Sequence, residues 1–389
     1  MVKIQMKTRN EVLEAQRVKY QKATKKEKSQ MLNTLCESTG LCRDQIIRKM
    51  KSRDRLTRVK VKFKRGRKLT YSLAILEPLE RVWEEMDYAC GKRLAAGMKD
   101  FLDAVNRFHP DMFEPEIRQK LQAMSASTID RHLRTTRQKH TLKGRSTTKP
   151  GTLLKKNIPI RLGTEWDDAK PGYLEVDLVA HCGDTTAGEY VNTLDSTDIA
   201  TGWTETRAVL NKARKHVHNA IIDTEELLPF PLLGFDSDNG SEFINDHLYK
   251  YCLNRGIVFT RSRPYTKNDN CHVEQKNWHT VRRHIGYGRY EGIEAVKLMN
   301  AYYLRLRLLT NFFYPQTKLI SKHRNDETGK YSKKYEPPLT PFQRVLNSPD
   351  IDSATKDELR QFYLTLDPIE IRKQMVQIRH QLYKLRIKD

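Results

Sequence analysis

The 389-residue chain is long enough for two or three domains, and 71 Lys and Arg against 48 Asp and Glu leave a formal charge of +23. A field of that sign attracts polyanions, so nucleic acid is the expected partner. No long apolar run argues for membrane insertion, the basic N-terminus lacks a secretory apolar stretch, and six cysteines without a C-x-x-C pair read as reduced thiols of a cytosolic protein.

Residues 8 to 50 read as helical. Thr24-Lys25-Lys26-Glu27 is a capping-box pattern, followed by Met31, Leu32, Leu35 and Cys36 at helical spacing. Ser38-Thr39-Gly40 breaks that helix, and Arg43 to Met50 reads as the next. The pair suggests a helix-turn-helix, with a plain helical hairpin as the alternative. Lys51 to Lys68 carries ten Lys or Arg in eighteen residues. Arg65 and Arg67, either side of Gly66, suit a minor-groove arm; a solvated linker is the bland reading. Residues 1–68 are therefore expected to form one DNA-binding module.

A second helical module is expected over 69–140. Leu73, Leu76, Leu79, Val82, Trp83 and Met86 make an apolar face for core packing. Glu116 to Met124 reads as a support helix, Ser125-Ala126-Ser127 as turn and cap, and Thr128 to Arg137 as a recognition helix presenting Arg131, His132, Arg134 and Arg137. Residues 141–170, rich in Lys, Thr and Gly, read as a basic linker.

From Gly172 the pattern changes to strands. They are expected at Tyr173 to His181, Tyr190 to Leu194, Trp203 to Val209, Leu232 to Asp236 and Ile257 to Thr260, with helices at Lys212 to Leu228 and Glu242 to Arg255. The polar stretch Arg261 to Asn270 reads as a loop ordered by DNA. Residues 291–389 read as a helical, basic region: a long helix from Ile293 to Phe313, a basic polar stretch from His323 to Lys334, and a last helix with Asp367 as cap and Pro368 at its first position.

Three carboxylates stand out within 171–290. Asp177 lies in the apolar run Leu174-Glu175-Val176-Asp177-Leu178-Val179. Asp238 directly precedes Asn239-Gly240 at the end of a strand. Glu274 follows on a helix, with 35 residues between it and Asp238. Taken singly, Asp-Asn-Gly is a common turn and a helical Glu a common solvated residue. In this order and spacing they resemble the D,D-35-E (DDE) active site of the retroviral-integrase superfamily, which includes many bacterial insertion-sequence transposases.

That resemblance implies a ribonuclease-H-like α/β catalytic core, a five-stranded mixed sheet with flanking helices, preceded by all-α helix-turn-helix domains. It implies two Mg²⁺ ions, with Mn²⁺ as substitute: Asp177 would bridge both, and Asp238 and Glu274 would each complete one shell. Cys36 and Cys42 lack the histidine pair of the retroviral zinc module. On the Glu274 helix, Glu274, Trp278 and Val281 are expected on one face; Lys276, His279 and Arg283 on another would meet the DNA backbone. Asp236, two residues before Asp238, is the competing acid.

The implied activity is DNA transposition, with metal-dependent 3′-end cleavage and strand transfer. The partners would be element ends and target DNA, bound by a homo-oligomer in the bacterial cytoplasm, on the nucleoid, with no membrane. A DNA-binding regulator with an inert core and a ribonuclease-H-like nuclease are the rival readings. Residues 1 to about 140 are expected to read the element's ends, and 150 to 345 to bind DNA without preference.

Overall fold

The computed structural model describes residues 5–52, 71–139, 170–237, 243, 246–261, 276–324 and 331–387. The chain divides into two compact units, Met1–Thr70 and Tyr71–Asp389. No helix among the described residues is long and apolar enough to cross a membrane.

The first unit holds α1 (Met6–Lys22), α2 (Lys25–Thr39) and α3 (Arg43–Lys51). The Thr24 capping box forms, and Gly40 ends α2 in the left-handed region at φ 64°, donating its N–H to Cys36 O at 2.9 Å. A side chain there would strain the backbone, which is why the break falls on glycine. Leu13, Leu32, Leu35, Ile46 and Met50 make this unit's small core.

The second unit begins with a 3₁₀ turn (Leu73–Ile75), followed by α4 (Leu76–Glu85), α5 (Gly91–Phe108), α6 (Pro115–Gln122), α7 (Ala126–His132) and α8 (Arg134–Lys139). Leu79, Val82, Trp83 and Met86 are buried as expected, whereas Leu73 is 87% exposed and Ile75 takes the inward place. The 3₁₀ turn shifts the helical phase by which Leu73 was read as inward.

Five strands follow: β1 (Tyr173–Ala180), β2 (Asn192–Asp198), β3 (Thr204–Val209), β4 (Gly234–Ser237) and β5 (Val258–Arg261). They form one mixed sheet in the order β3-β2-β1-β4-β5. The first three are antiparallel neighbours; β4 joins β1, and β5 joins β4, in parallel. Strand β2 runs four residues past its expected end, because Asp195-Ser196-Thr197-Asp198 reads as turn chemistry but pairs with β1.

The sheet's two faces differ in chemistry. Leu174, Val176, Leu194, Phe235 and Phe259 pack against α9 (Arg214–Glu225) and α10 (Asp246–Arg255) in one apolar core. The opposite face is polar. It is covered by α11, a π-helical turn Asn277–Arg282 continuing as α-helix Arg283–Ile285, and flanked by α12 (Gly292–Phe312). Then come the hairpin β6 (Leu319–Arg324) and β7 (Tyr331–Tyr335), where sequence suggested only a basic polar stretch, and α13 (Pro341–Asn347), α14 (Ser353–Leu364) and α15 (Pro368–Lys384). Asp367 caps α15 through the N–H groups of Ile369 and Glu370 at 3.0 and 3.3 Å.

Residues 71–139 share a hydrophobic core with α12 and α15: Trp83, Phe101 and Leu102 belong to the same buried cluster as Tyr302, Phe312, Phe313 and Met375. Helix α12 also closes the free edge of β3. Asn300 accepts from Ala208 N at 2.7 Å and donates to Ala208 O at 3.0 Å. Asn311 does the same for Thr204, at 2.9 and 3.0 Å. Two side-chain amides eleven residues apart thus stand in for a sixth strand, blunting an edge that would otherwise recruit one.

Replacing Asn311 with Ala strands a buried strand N–H and C=O, at about 1–3 kcal/mol for each unsatisfied group. Urea unfolding of Asn311→Ala should show a loss of about 2–4 kcal/mol, and Asn311→Asp, which keeps the acceptor, a smaller one. Equal stability of Asn311→Ala and the parent would mean the clasp is ornamental.

Candidate active site

Strand alternation puts Glu175 and Asp177 on the polar face of β1. The register sets Asp177 opposite Asp195 of β2, and Glu175 opposite Asp236 of β4. Glu175, Asp195 and Asp236 are fully buried, while Asp177 is half-buried. Asp236 accepts from the Thr260 hydroxyl at 2.6 Å, which anchors it within the sheet.

Asp177 is held from two sides. Its Oδ1 accepts from Leu178 N at 2.8 Å, and its Oδ2 accepts from the Asn277 amide on α11. Asp195 Oδ2 accepts from the Thr280 hydroxyl, one turn further along α11, at 2.8 Å. Asp195 Oδ1 and Asn277 Oδ1 are both buried and have no hydrogen-bond donor among the described residues.

Lys276 compensates the buried charge. Its ammonium reaches Gln316 Oε1 at 2.6 Å, Thr204 Oγ1 at 3.0 Å and Gly202 O at 3.3 Å. Burial pulls Lys276 down and the Asp195 charge holds it up, while Arg93 and Arg344 lower it further. Burial pushes Asp195 up; the Thr280 hydrogen bond and Lys276 pull against that, and Asp177 adds to it. Asp195 and Lys276 favour each other's charge without a direct ion pair, since the ammonium's hydrogen bonds go to Gln316, Thr204 and Gly202.

Hard oxygens of the kind a divalent cation takes are present singly: the half-buried Asp177 carboxylate, and the buried Asp195 Oδ1 and Asn277 Oδ1 that lack a donor. Among the described residues no group of three or more His, Cys, Asp or Glu is placed to hold a metal. Asp238 and Glu274 lie outside the described residues, as do Arg65 and Arg67.

The remaining expected DNA contacts divide. Arg131 and Arg134 are exposed. Arg137 is turned inward, bonded to Asp130 and to Ala89 O and lying 5.6 Å over the Trp83 ring. Lys276 faces the sheet instead of a phosphate backbone. Arg283 is paired with Asp87 at 3.1 Å, donates to the Asp87 carbonyl at 2.7 Å and lies over Tyr88 and Trp278. His279 keeps part of its surface open, but burial and then Arg93, Arg283 and Lys276 pull it down to about 4, so it is neutral at pH 7.

The expected faces of this helix shift for one reason. A π-helical turn bonds i to i+5, not i to i+4. Val281 is therefore buried while Trp278 is 41% exposed, and the two do not share a face. Sequence reading missed Asp195, Asn277 and Thr280. Asp195 lies one residue past the expected end of its strand at Leu194, and the alternation with Asp177 across a hairpin was the signal that could have found it.

Lys276→Met should remove a charge that favours Asp195 and leave the acceptors Gln316 Oε1 and Thr204 Oγ1 without their donor, at about 1–3 kcal/mol. Chemical denaturation of Lys276→Met, Asp195→Asn and the double variant measures the coupling. The double should lose clearly less than the two singles together, and strict additivity would mean the two charges do not interact.

No protein-family model matches the chain. It is 36% identical to the uncharacterized protein y4rM of Sinorhizobium fredii over 342 residues, which cover 88% of this chain and 96% of that protein. Similar solved structures include the catalytic core domain of BIV integrase, 16% identical with a TM-score of 0.28, covering 46% of this chain and 95% of that one. Another is the HTLV-2 integrase catalytic core domain in complex with magnesium, dimeric form, 15% identical with a TM-score of 0.29, covering 41% and 92%. Likeness at those scores assigns nothing by itself; the fold is read from the chain's own strand order.

Proposed function

We propose that this chain, which belongs to the family of the uncharacterized protein y4rM, is a DNA transposase of the integrase superfamily. It would cleave the 3′ ends of a mobile element and transfer them into target DNA. One observation carries the reading: Asp177 stands on the central strand of a five-stranded mixed sheet, half-buried, beside the parallel strand that leads to Asp238. In sequence, Asp238 follows directly on Ser237, the residue paired with Val176, and Glu274 stands three residues before Asn277, which holds Asp177.

Asp177, Asp238 and Glu274 would hold the two divalent ions. Bound there, such ions stabilise both the attacking and the leaving oxygen of an in-line phosphoryl displacement. The chain's own part is positioning. Asn277 fixes the rotation of the Asp177 carboxylate, and Thr280 and Lys276 hold Asp195 behind it. The neighbouring Asp195 also favours a second reading, a ribonuclease-H-type nuclease with a further acid, which would cut RNA–DNA hybrids and transfer no strand.

Reading of the element's ends falls to the first unit, where α2, a three-residue turn and α3 stand before the basic run from Lys51 to Lys68. Residues 71–139 share their core with the C-terminal helices, so the separable fragment is Met1–Thr70.

Asp177→Asn, Asp238→Asn and Glu274→Gln should each lower strand transfer with Mg²⁺ by more than about 100-fold, with circular dichroism unchanged. Asp236→Asn should retain transfer within a few-fold. Retained activity in Asp238→Asn together with its loss in Asp236→Asn would show that the wrong acid has been named. Product analysis on hybrid and duplex substrates separates transposase from nuclease.

In a second experiment, the Met1–Thr70 fragment should prefer end DNA over scrambled DNA without metal. The Tyr71–Asp389 fragment should bind both alike, weakening steeply with salt by about 0.9 log units per decade for each phosphate contacted. Preference residing in the larger fragment would overturn the assignment of end reading to the first unit, shift it to the candidate at Glu116 to Arg137, and leave the carboxylates untouched.

A further inference from the structure

A cavity of about 440 Å³ is lined by the turn that joins α4 to α5, the end of β2, helix α11 and the segment Tyr314–Leu319. Its lining includes four cations, Arg93, Lys276, Arg283 and Lys318, and two acids, Asp87 and Asp198. Most of these charges are already answered. Asp198 accepts from Thr201 and Gly172, Arg283 is paired with Asp87, and Lys318 donates to Ala200 O at 2.8 Å. Lys276 donates to Gln316, Thr204 and Gly202 O.

Arg93 is the exception. Its Nε donates to Pro315 O at 2.5 Å, and its two terminal nitrogens have no hydrogen-bond or ion-pair partner among the described residues. They form the open end of a planar fork, the geometry that binds phosphate through two parallel hydrogen bonds. Helix α5 carries Arg93 on its first turn, and the helix's own N-terminal N–H at Gly91 is already taken by the Asp130 carboxylate at 2.8 Å, so the cation to be answered is the guanidinium itself. His279 of α11 also lines the cavity, and an imidazole ring has an N–H to donate.

We infer that this cavity is a phosphate-binding site, with the Arg93 guanidinium as its anchor and the His279 ring as a second donor. The volume lies within the range of small-ligand sites and exceeds what a bare phosphate needs, so the phosphate would carry a sugar or a second phosphoryl group. Two sources share that chemistry: the terminal phosphate of a DNA strand, and a free nucleotide or pyrophosphate. The site needs neither the three catalytic carboxylates nor a metal.

The test is a titration of the full-length chain, carrying labelled histidine, at pH 7 without divalent metal. The His279 ring signal is assigned with His279→Gln. Pyrophosphate should move that signal saturably. Arg93→Gln should weaken the effect by about tenfold or more, Arg93→Lys should recover part of it, and Arg360→Gln on exposed α14 should change nothing. A short duplex with a 5′-phosphate acting at lower concentration than its 5′-hydroxyl twin identifies a DNA end as the source. Equal action of the two duplexes, both weaker than pyrophosphate, identifies a free phosphate compound. An unmoved His279 signal, or equal weakening by Arg93→Gln and Arg360→Gln, overturns the site. Because the readout involves no strand transfer, its failure is distinguishable from failure of the transposase reading.

Discussion

A carboxylate sealed between a sheet and a helix has to be answered from the helix, and Asp195 sets that demand here. Thr280 and Lys276 answer it from α11. Neither can do so unless α11 lies across β1 and β2 at one height. At that height Asn277 meets Asp177. The buried pair therefore acts as a register pin: the electrostatic cost of Asp195 fixes where the helix sits, and the helix then orients the candidate catalytic carboxylate. Replacing such a pair with apolar residues often costs little stability, so its use here is positional.

The same logic governs the junction between the helices of residues 71–139 and the rest of the second unit. Asp87 and Tyr88 both adopt positive φ, at 53°, which is unfavourable for residues with a side chain. The conformation is held by a 2.7 Å hydrogen bond from Tyr88 N to Trp83 O and by the edge-on packing of Tyr88 against Trp83. It turns Asp87 towards Arg283 of α11 and Arg372 of α15. Burial raises Asp87, and Arg283, Arg372 and Arg93 work against that rise. One strained turn thus ties three elements together, and it forms a wall of the cationic cavity beside α11.

Positive charge is consequently of two kinds in this molecule. Arg137 and Arg283 are spent inside on Asp130 and Asp87, and Lys276 on Gln316, Thr204 and Gly202 O. Arg131 and Arg134 are left outside. A net charge of +23 says that a polyanion is attracted, but it does not say which side chains touch one, because a basic residue near a buried acid serves the fold first.

Much of the local structure was legible in the sequence. The Thr24 capping box, the stop at Gly40 and the Asp367-Pro368 start are decided by residues within a few positions of each other, so sequence alone determined them. The strand carrying Asp177 was legible because apolar residues alternate through it. What only the tertiary structure decided rests on contacts between distant segments. Asp195-Ser196-Thr197-Asp198 carries turn chemistry and becomes a strand because β1 and β3 complete its hydrogen bonds on both sides. Lys276 has the pattern of a solvated helical base and turns inward because Gln316, forty residues away, and Asp195 meet it there. The π-helical turn resets the faces of α11, and no local spacing rule anticipates it. Short-range hydrogen bonding and periodicity are written in neighbouring residues; the partner of a buried charge is chosen by the fold.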